Sequence, residues 1–287
     1  MGRARSPDDF IAAPAAVPDH LGKRLRAYAL AELDHARAAL KIRKVEKGEG
    51  VHEARKSLRH ARAALRLGDS KFRHAARPLD EALRDLARSL SPLRDAQVMI
   101  GTLDQVFEDD PLPFDEDLRG KARAALRHRR RTLIEKYRHA DPHLHRLRQH
   151  FKAVRKDLAA LPWKHIAAHN VERALAKSCD RIQAAHAQAI AHPDGAARHA
   201  WRRRIRRLRH QLRALAAIGM DAAGACGVAV DAHAAQADRL GDEQDLRVLD
   251  ETVGRLNGLS GAECALLRRS IVRRIDALMA PSGADAA

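Results

Sequence analysis

With 54 Lys and Arg against 37 Asp and Glu in 287 residues, the chain carries a formal net charge of +17, a surplus that attracts anions. Aromatic residues make up only 3%, which leaves little material for stacking unpaired bases, and no apolar run of about 18 residues is present to span a membrane. Val, Ile and Thr are scarce beside Ala, Leu and Arg, so a strand-rich fold is excluded and an all-α fold is expected.

Residues 1–17 are rich in Ala and Pro, lack the compact apolar stretch of a secretory signal, and read as a disordered lead-in. Helical periodicity starts near Asp19, runs through Leu21, Leu25, Leu30, Leu33 and Leu40, and breaks at Lys47-Gly48-Glu49-Gly50. A second helix is expected from about Val51 to Leu67, stopping at Gly68. A third pattern covers about Phe72 to Val106, divided or kinked by Pro78 and Pro92. The acidic, proline-bearing stretch Glu108 to Pro113 reads as a solvated loop. Helices follow over about 114–138, 142–160 and 162–191. After the stop at His192-Pro193-Asp194-Gly195 they resume over about 196–218, 228–240, 242–256 and 262–279, and residues 281–287 form a loose tail. Cys179, Cys226 and Cys264 are odd in number, widely spaced and without a CxxC pair. They predict neither a disulfide framework nor a zinc site, and a reducing cytosol is the simplest compartment.

The chain contains an internal repeat. His52-Glu-Ala-Arg55-Lys-Ser-Leu58-Arg59-His-Ala-Arg62 aligns without gaps to His199-Ala-Trp-Arg202-Arg-Arg-Ile205-Arg206-Arg-Leu-Arg209, 147 residues later. Leu90, Asp95 and Val98 recur as Leu240, Asp245 and Val248 at an offset of 150. Two halves of about 130 residues, built alike, follow from this.

At about 100° per residue, His52, Arg55, Arg59, Arg62 and Arg66 fall on one narrow arc of a helix. Val51, Ala54, Leu58, Ala61 and Leu65 form an apolar arc only about 100° away. The second copy repeats this with His199, Arg202, Arg206, Arg209 and Arg213 beside Trp201, Ile205, Leu208 and Leu212. A solvated face lies opposite the apolar one. A pure cation row along the edge of the buried stripe is instead drawn into a groove, with its aliphatic stems covered. Arginine suits phosphate, because its planar fork donates two parallel hydrogen bonds to phosphate oxygens. The plainer reading pairs these arginines with Asp34, Asp80, Glu81, Asp85, Asp238 or Asp242. The stretch Arg198–Arg213 holds eight arginines and no acidic residue, so its pairing cannot be local. Arg203, Arg204 and Arg207 exceed the first copy's pattern and are expected only to enrich the outer field.

The pattern Val51-His52-x-x-Arg55-x-x-Leu58-Arg59-x-x-Arg62, followed by Leu90-Ser-x-x-Arg94-Asp95-x-x-Val98, resembles the CHAD family, the conserved histidine α-helical domain. His199-x-x-Arg202-x-x-Ile205-Arg206-x-x-Arg209 with Leu240-Gly241-x-x-x-Asp245-x-x-Val248 resembles that family's second repeat. The resemblance spans about residues 18–280, with repeat one about 18–140 and repeat two about 141–280. It implies two similar antiparallel helical bundles related by a pseudo-two-fold, with a basic cavity or surface between them that holds inorganic polyphosphate. It also implies association with polyphosphate granules in the cytoplasm, in the company of other granule proteins. The ligands it implies are His52, Arg55, Arg59, Arg62, Arg66, His199, Arg202, Arg206, Arg209 and Arg213. Many members carry a triphosphate-hydrolysing CYTH domain, for which this sequence has no room.

Other chemistry is weaker. His165 and His169 have i,i+4 spacing without a third ligand, and Glu32-x-x-His35 is a single copy of a motif that di-iron bundles need twice, so no metal and no cofactor is expected. Asp95 and Asp245 follow turn signals and are expected to cap a helix or orient an arginine. No phosphate-cradling glycine loop or nucleophile elbow appears, and no enzyme is expected. A nucleic-acid-binding protein, a polyphosphate-metabolising enzyme and a purely structural basic bundle are the competing readings.

Overall fold

A computed structural model describes residues 19–41, 45, 48–110, 113–192 and 195–280. The expected lead-in and tail lie outside them. Every regular element among the described residues is helical. In chain order these are α1 (Leu21–Ala39), α2 (Glu49–Ala64), α3 (Ser70–Ser89), α4 (Ser91–Asp109) and α5 (Glu116–Ala140). Then come α6 (His145–Ala160), α7 (Ala168–Ala191), α8 (Gly195–Ala217), α9 (Ala223–Val253) and α10 (Gly261–Met279). Short 3₁₀ turns at Pro142–Leu144 and Trp163–His165 precede α6 and α7. Among the described residues no helix is long and apolar enough to cross a membrane.

The two prolines of the third pattern act differently. Pro92 sits in the first turn of α4, where its missing N–H is not needed, and α3 ends just before it. Pro78 lies inside a continuous α3. Both it and His74, whose carbonyl it leaves without a helical partner, are exposed, so solvent can satisfy that carbonyl. The helices expected over 228–240 and 242–256 are a single α9. Gly241 does not break it, since a mid-helix glycine costs only about 1 kcal/mol and the flanking turns are packed. Cys179 on α7 is disulfide-bonded, against the expectation from cysteine spacing, because distance along the chain says little about which helices meet; Cys264 is free.

Two apolar clusters hold the molecule together. The larger joins α1, α2 and α3 to α6, α7, α8 and the middle of α9, around Leu25, Leu33, Leu58, Phe72, Trp163, Ile205 and Leu240. The smaller joins α4 and α5 to the C-terminal part of α9 and α10, around Leu103, Phe107, Leu126, Leu249 and Ile271. Each cluster therefore takes helices from both halves of the chain. The apolar arc read on α2 is fully buried, as are Trp201, Ile205 and Leu208 on α8. Burying these adjacent arcs packs α2 directly on α8.

Candidate functional site

The contact of α2 with α8 brings the two cation rows together. A cavity of about 630 Å³ opens between them, lined by His52, Lys56, Arg59 and His60 from α2 and by Arg202, Arg206, Arg209, His210 and Arg213 from α8. Its third wall is α9, through Asp238, Gly241, Asp242 and Asp245. A smaller cavity of about 230 Å³ adjoins it through Arg59, Arg206 and His210, and adds Arg62, Arg66, Arg203 and Arg207. Of the ten residues read from the sequence, eight line one or both cavities. Arg55 and His199 line neither.

The arginines differ sharply in how they are held. Arg62 and Arg66 share Asp80, at 2.9 and 2.7 Å, so the plainer reading of ion pairing holds for these two. It holds for Arg209 as well, which pairs with Asp238 at 3.2 Å in an exposed setting. Arg55 donates from Nη1 to the carbonyl of Ala87 and to Ser91 Oγ, which ties α2 to the junction of α3 and α4. Arg59 and Arg206 have no carboxylate partner among the described residues. Their burial, and then the charges of nearby arginines, push the Arg59 guanidinium down to about 9 and that of Arg206 down to about 10. Arg59 Nε, Arg202 Nε and His210 Nε2 are buried without a hydrogen-bond partner among the described residues. A buried donor left unsatisfied costs roughly 1–3 kcal/mol, and here several converge on one space.

Arg94 was legible only as part of a motif, yet it anchors the site. Its guanidinium donates to both Asp245 oxygens, at 2.9 and 3.1 Å, and to Asp95 at 3.2 Å. A fork from α4 of the first half thus grips α9 of the second through Asp245. Asp242, beside Asp245 and Asp238, has its carboxyl raised by burial and by these neighbouring charges.

Gly241 has a specific use here. A Cβ at this position would lie 2.8 Å from Arg202 Nη2, so the missing side chain lets that guanidinium lie across α9. The aligned positions of the first half are Ser91 and Arg55, where the hydroxyl accepts a hydrogen bond instead. Gly241→Ala is expected to leave the melting temperature unchanged or slightly raised, because alanine favours a helix by about 1 kcal/mol. It should nevertheless weaken anion binding a few-fold by displacing Arg202 from the cavity wall. A titration showing unchanged affinity would remove Arg202 from the site.

The lining of the smaller cavity corrects one expectation. Arg203 and Arg207 do not merely enrich the outer field, since both line the smaller cavity. Arg207 is only partly accessible and is pushed down to about 9, by burial first and then by Arg66, Arg204 and Arg181. The repeat concealed this, because the position aligned with Arg207 is His60. His60 is buried and bonds Glu32 Oε1 at 2.9 Å, so the Glu-x-x-His motif serves that contact through its glutamate. Spacing on α8 alone could have flagged Arg203 and Arg207, which stand i,i+4 beside Arg206. Lys56 and His210 were likewise missed.

The CHAD domain pattern matches residues 19–254. No curated protein sequence matches the chain. The crystal structure of the CHAD domain from the plant Ricinus communis is similar in fold, with a TM-score of 0.68 and 21% identity, over 99% of this chain and 95% of that one. PptA from Streptomyces chartreusis is also similar, with a TM-score of 0.59 and 17% identity, over 93% of this chain and 96% of that one. At such identities the likeness concerns the fold, whereas the family pattern extends across most of the sequence and over both cation rows: the chain belongs to the CHAD domain family.

Proposed function

We propose that the protein binds inorganic polyphosphate in the groove between α2 and α8, as a binding module rather than an enzyme, and associates through it with polyphosphate granules and their other proteins in the cytoplasm. In this reading the two repeats face each other across an approximate two-fold axis on which the groove lies. The observation that carries it is the pair Arg59 and Arg206: half-buried guanidiniums crowded by other arginines, without carboxylate partners among the described residues, beside a cavity of about 630 Å³. Duplex DNA presents its charge on a broad outer surface, whereas these cations sit inside a cleft beside the core. Titration with polyphosphate in competition with duplex DNA tests the reading. Polyphosphate should win at equal charge and no orthophosphate should be released; preference for DNA would overturn it.

The histidines give this binding a pH dependence of fixed sign. His52 is held below its ordinary value by partial desolvation and by Arg59, Lys56 and Arg94, against the pull of Glu53. His199 is lowered by desolvation and by Arg203, Arg202 and Arg206, against a hydrogen bond that its ring donates to the Gln244 side-chain oxygen. Both are therefore neutral in the free protein at neutral pH, and a bound polyanion raises both. Affinity should increase as pH falls through the bound-state values, and level off only below the depressed free-state values, under about 6.5. Gln at both positions should flatten the profile. A wild-type profile already flat between about pH 8 and 5 would show that neither ring meets the ligand.

A further inference from the structure

The smaller cavity does not close at Arg207. A third space of about 160 Å³ shares Arg66 and Arg207 with it, and is completed by Arg73 from α3 and by Lys177 and Arg181 from α7. No carboxylate among the described residues lines either of these two cavities. Asp80, whose charge reaches Arg207, is already engaged by both Arg62 and Arg66. Beneath the third space, Ser178 Oγ and Gln211 Oε1 bond each other at 2.9 Å, joining α7 to α8 and fixing the floor. Shared walls thus link three cation-lined spaces in series, from the α9 side of α8 to its α7 side.

We infer that the groove turns past Arg207 into a second anionic subsite, formed by Arg66, Arg73, Lys177, Arg181 and Arg207, which takes further phosphoryl groups of the same linear polymer. This rests on the polyphosphate reading and adds to it a requirement for length. A compact oligomer fills the large cavity alone, whereas a long chain continues past Arg207 and meets both. The depressed Arg207 guanidinium fits this placement, since phosphate oxygens would offset the repulsion from Arg66, Arg204 and Arg181. Nothing in the repeat predicts the extension: His60, at the matching position, is occupied by Glu32.

The test uses the full chain with sodium tripolyphosphate and with long-chain polyphosphate. Lys177 and Arg181 are both exposed, so Lys177→Ala with Arg181→Ala should leave the fold intact. This double variant should lose about tenfold in affinity for the long chain, with a salt slope smaller by about 1.4. Its affinity for tripolyphosphate should match wild type. Arg127→Ala with Arg131→Ala, exposed on α5 and lining none of these cavities, removes equal charge and should cost much less. Equal losses from the two pairs, equal losses for the two ligands, or no loss for the long chain would each overturn the subsite while leaving polyphosphate binding intact. A wild-type protein that binds neither polymer overturns the polyphosphate reading itself, and the subsite with it.

Discussion

Replacing Arg59 and Arg206 together by Met is expected to weaken polyphosphate binding on the order of 100-fold while making the free protein more stable. The two effects have one origin. Each guanidinium is disfavoured in the folded, unligated protein: burial and neighbouring arginines depress both, so the charged form is what folding resists. Methionine keeps most of the apolar stem and removes the charge. Relief of roughly 1 kcal/mol would raise the melting temperature by about 2–4 °C. In the complex the same charges meet phosphate oxygens, and losing two charge-assisted hydrogen bonds of about 1.5 kcal/mol each gives the two decades in affinity. The log–log salt slope should fall by about 1.4. Arg62→Met with Arg66→Met provides the contrast, since it strips Asp80 of its partners and should lower the melting temperature. If the Arg59/Arg206 variant is destabilised and binds normally, these residues are structural.

Asp245→Ala should act in the opposite sense on both quantities. The Arg94–Asp245 fork is mostly shielded, with side-chain exposures of 26% and 19%. Removing one partner of a fully buried pair costs about 3–5 kcal/mol, and partial exposure brings that to roughly 2–3 here. Arg94, left with Asp95 alone, then adds to the field at Arg59 and Arg206, whose guanidiniums it already depresses. Stability therefore falls, while polyphosphate, meeting one carboxylate fewer, binds a few-fold more tightly. Thermal melts with and without ligand check this, since the ligand-induced rise should exceed that of wild type. Arg94→Met in the Asp245→Ala background should recover part of the lost stability, because it removes a shielded charge left with only its weaker contact to Asp95. Loss without recovery would mean that Asp245 acts through something other than this pair.

Much of this was readable along the chain. The 3.6-residue period gave the helices, and the nearness of the cation arc to the apolar arc gave the groove, because burying one necessarily carries the other inward. The uninterrupted α9 was not readable, since Gly241 has its use only against Arg202 from another helix. Neither was the division of the arginines into paired and unpaired. Asp80 stands 14 and 18 residues from the two it binds, and the sequence offered six carboxylates without ranking them. Arg207 was missed because the repeat served as a template, and the halves depart from one another at that position.

The two apolar clusters bear on how the chain is made. During synthesis α4 and α5 emerge long before α9 and α10, against which their apolar faces pack. α1 to α3 likewise wait for α7 and α8. For that interval the first half presents uncovered leucines and phenylalanines together with a row of arginines, a surface suited to aggregation or to capture by nucleic acid near the ribosome. Neither half has a complete interior of its own, so the folding unit is nearly the whole length of the chain. A split or truncated gene should yield fragments that are soluble only when both are made together.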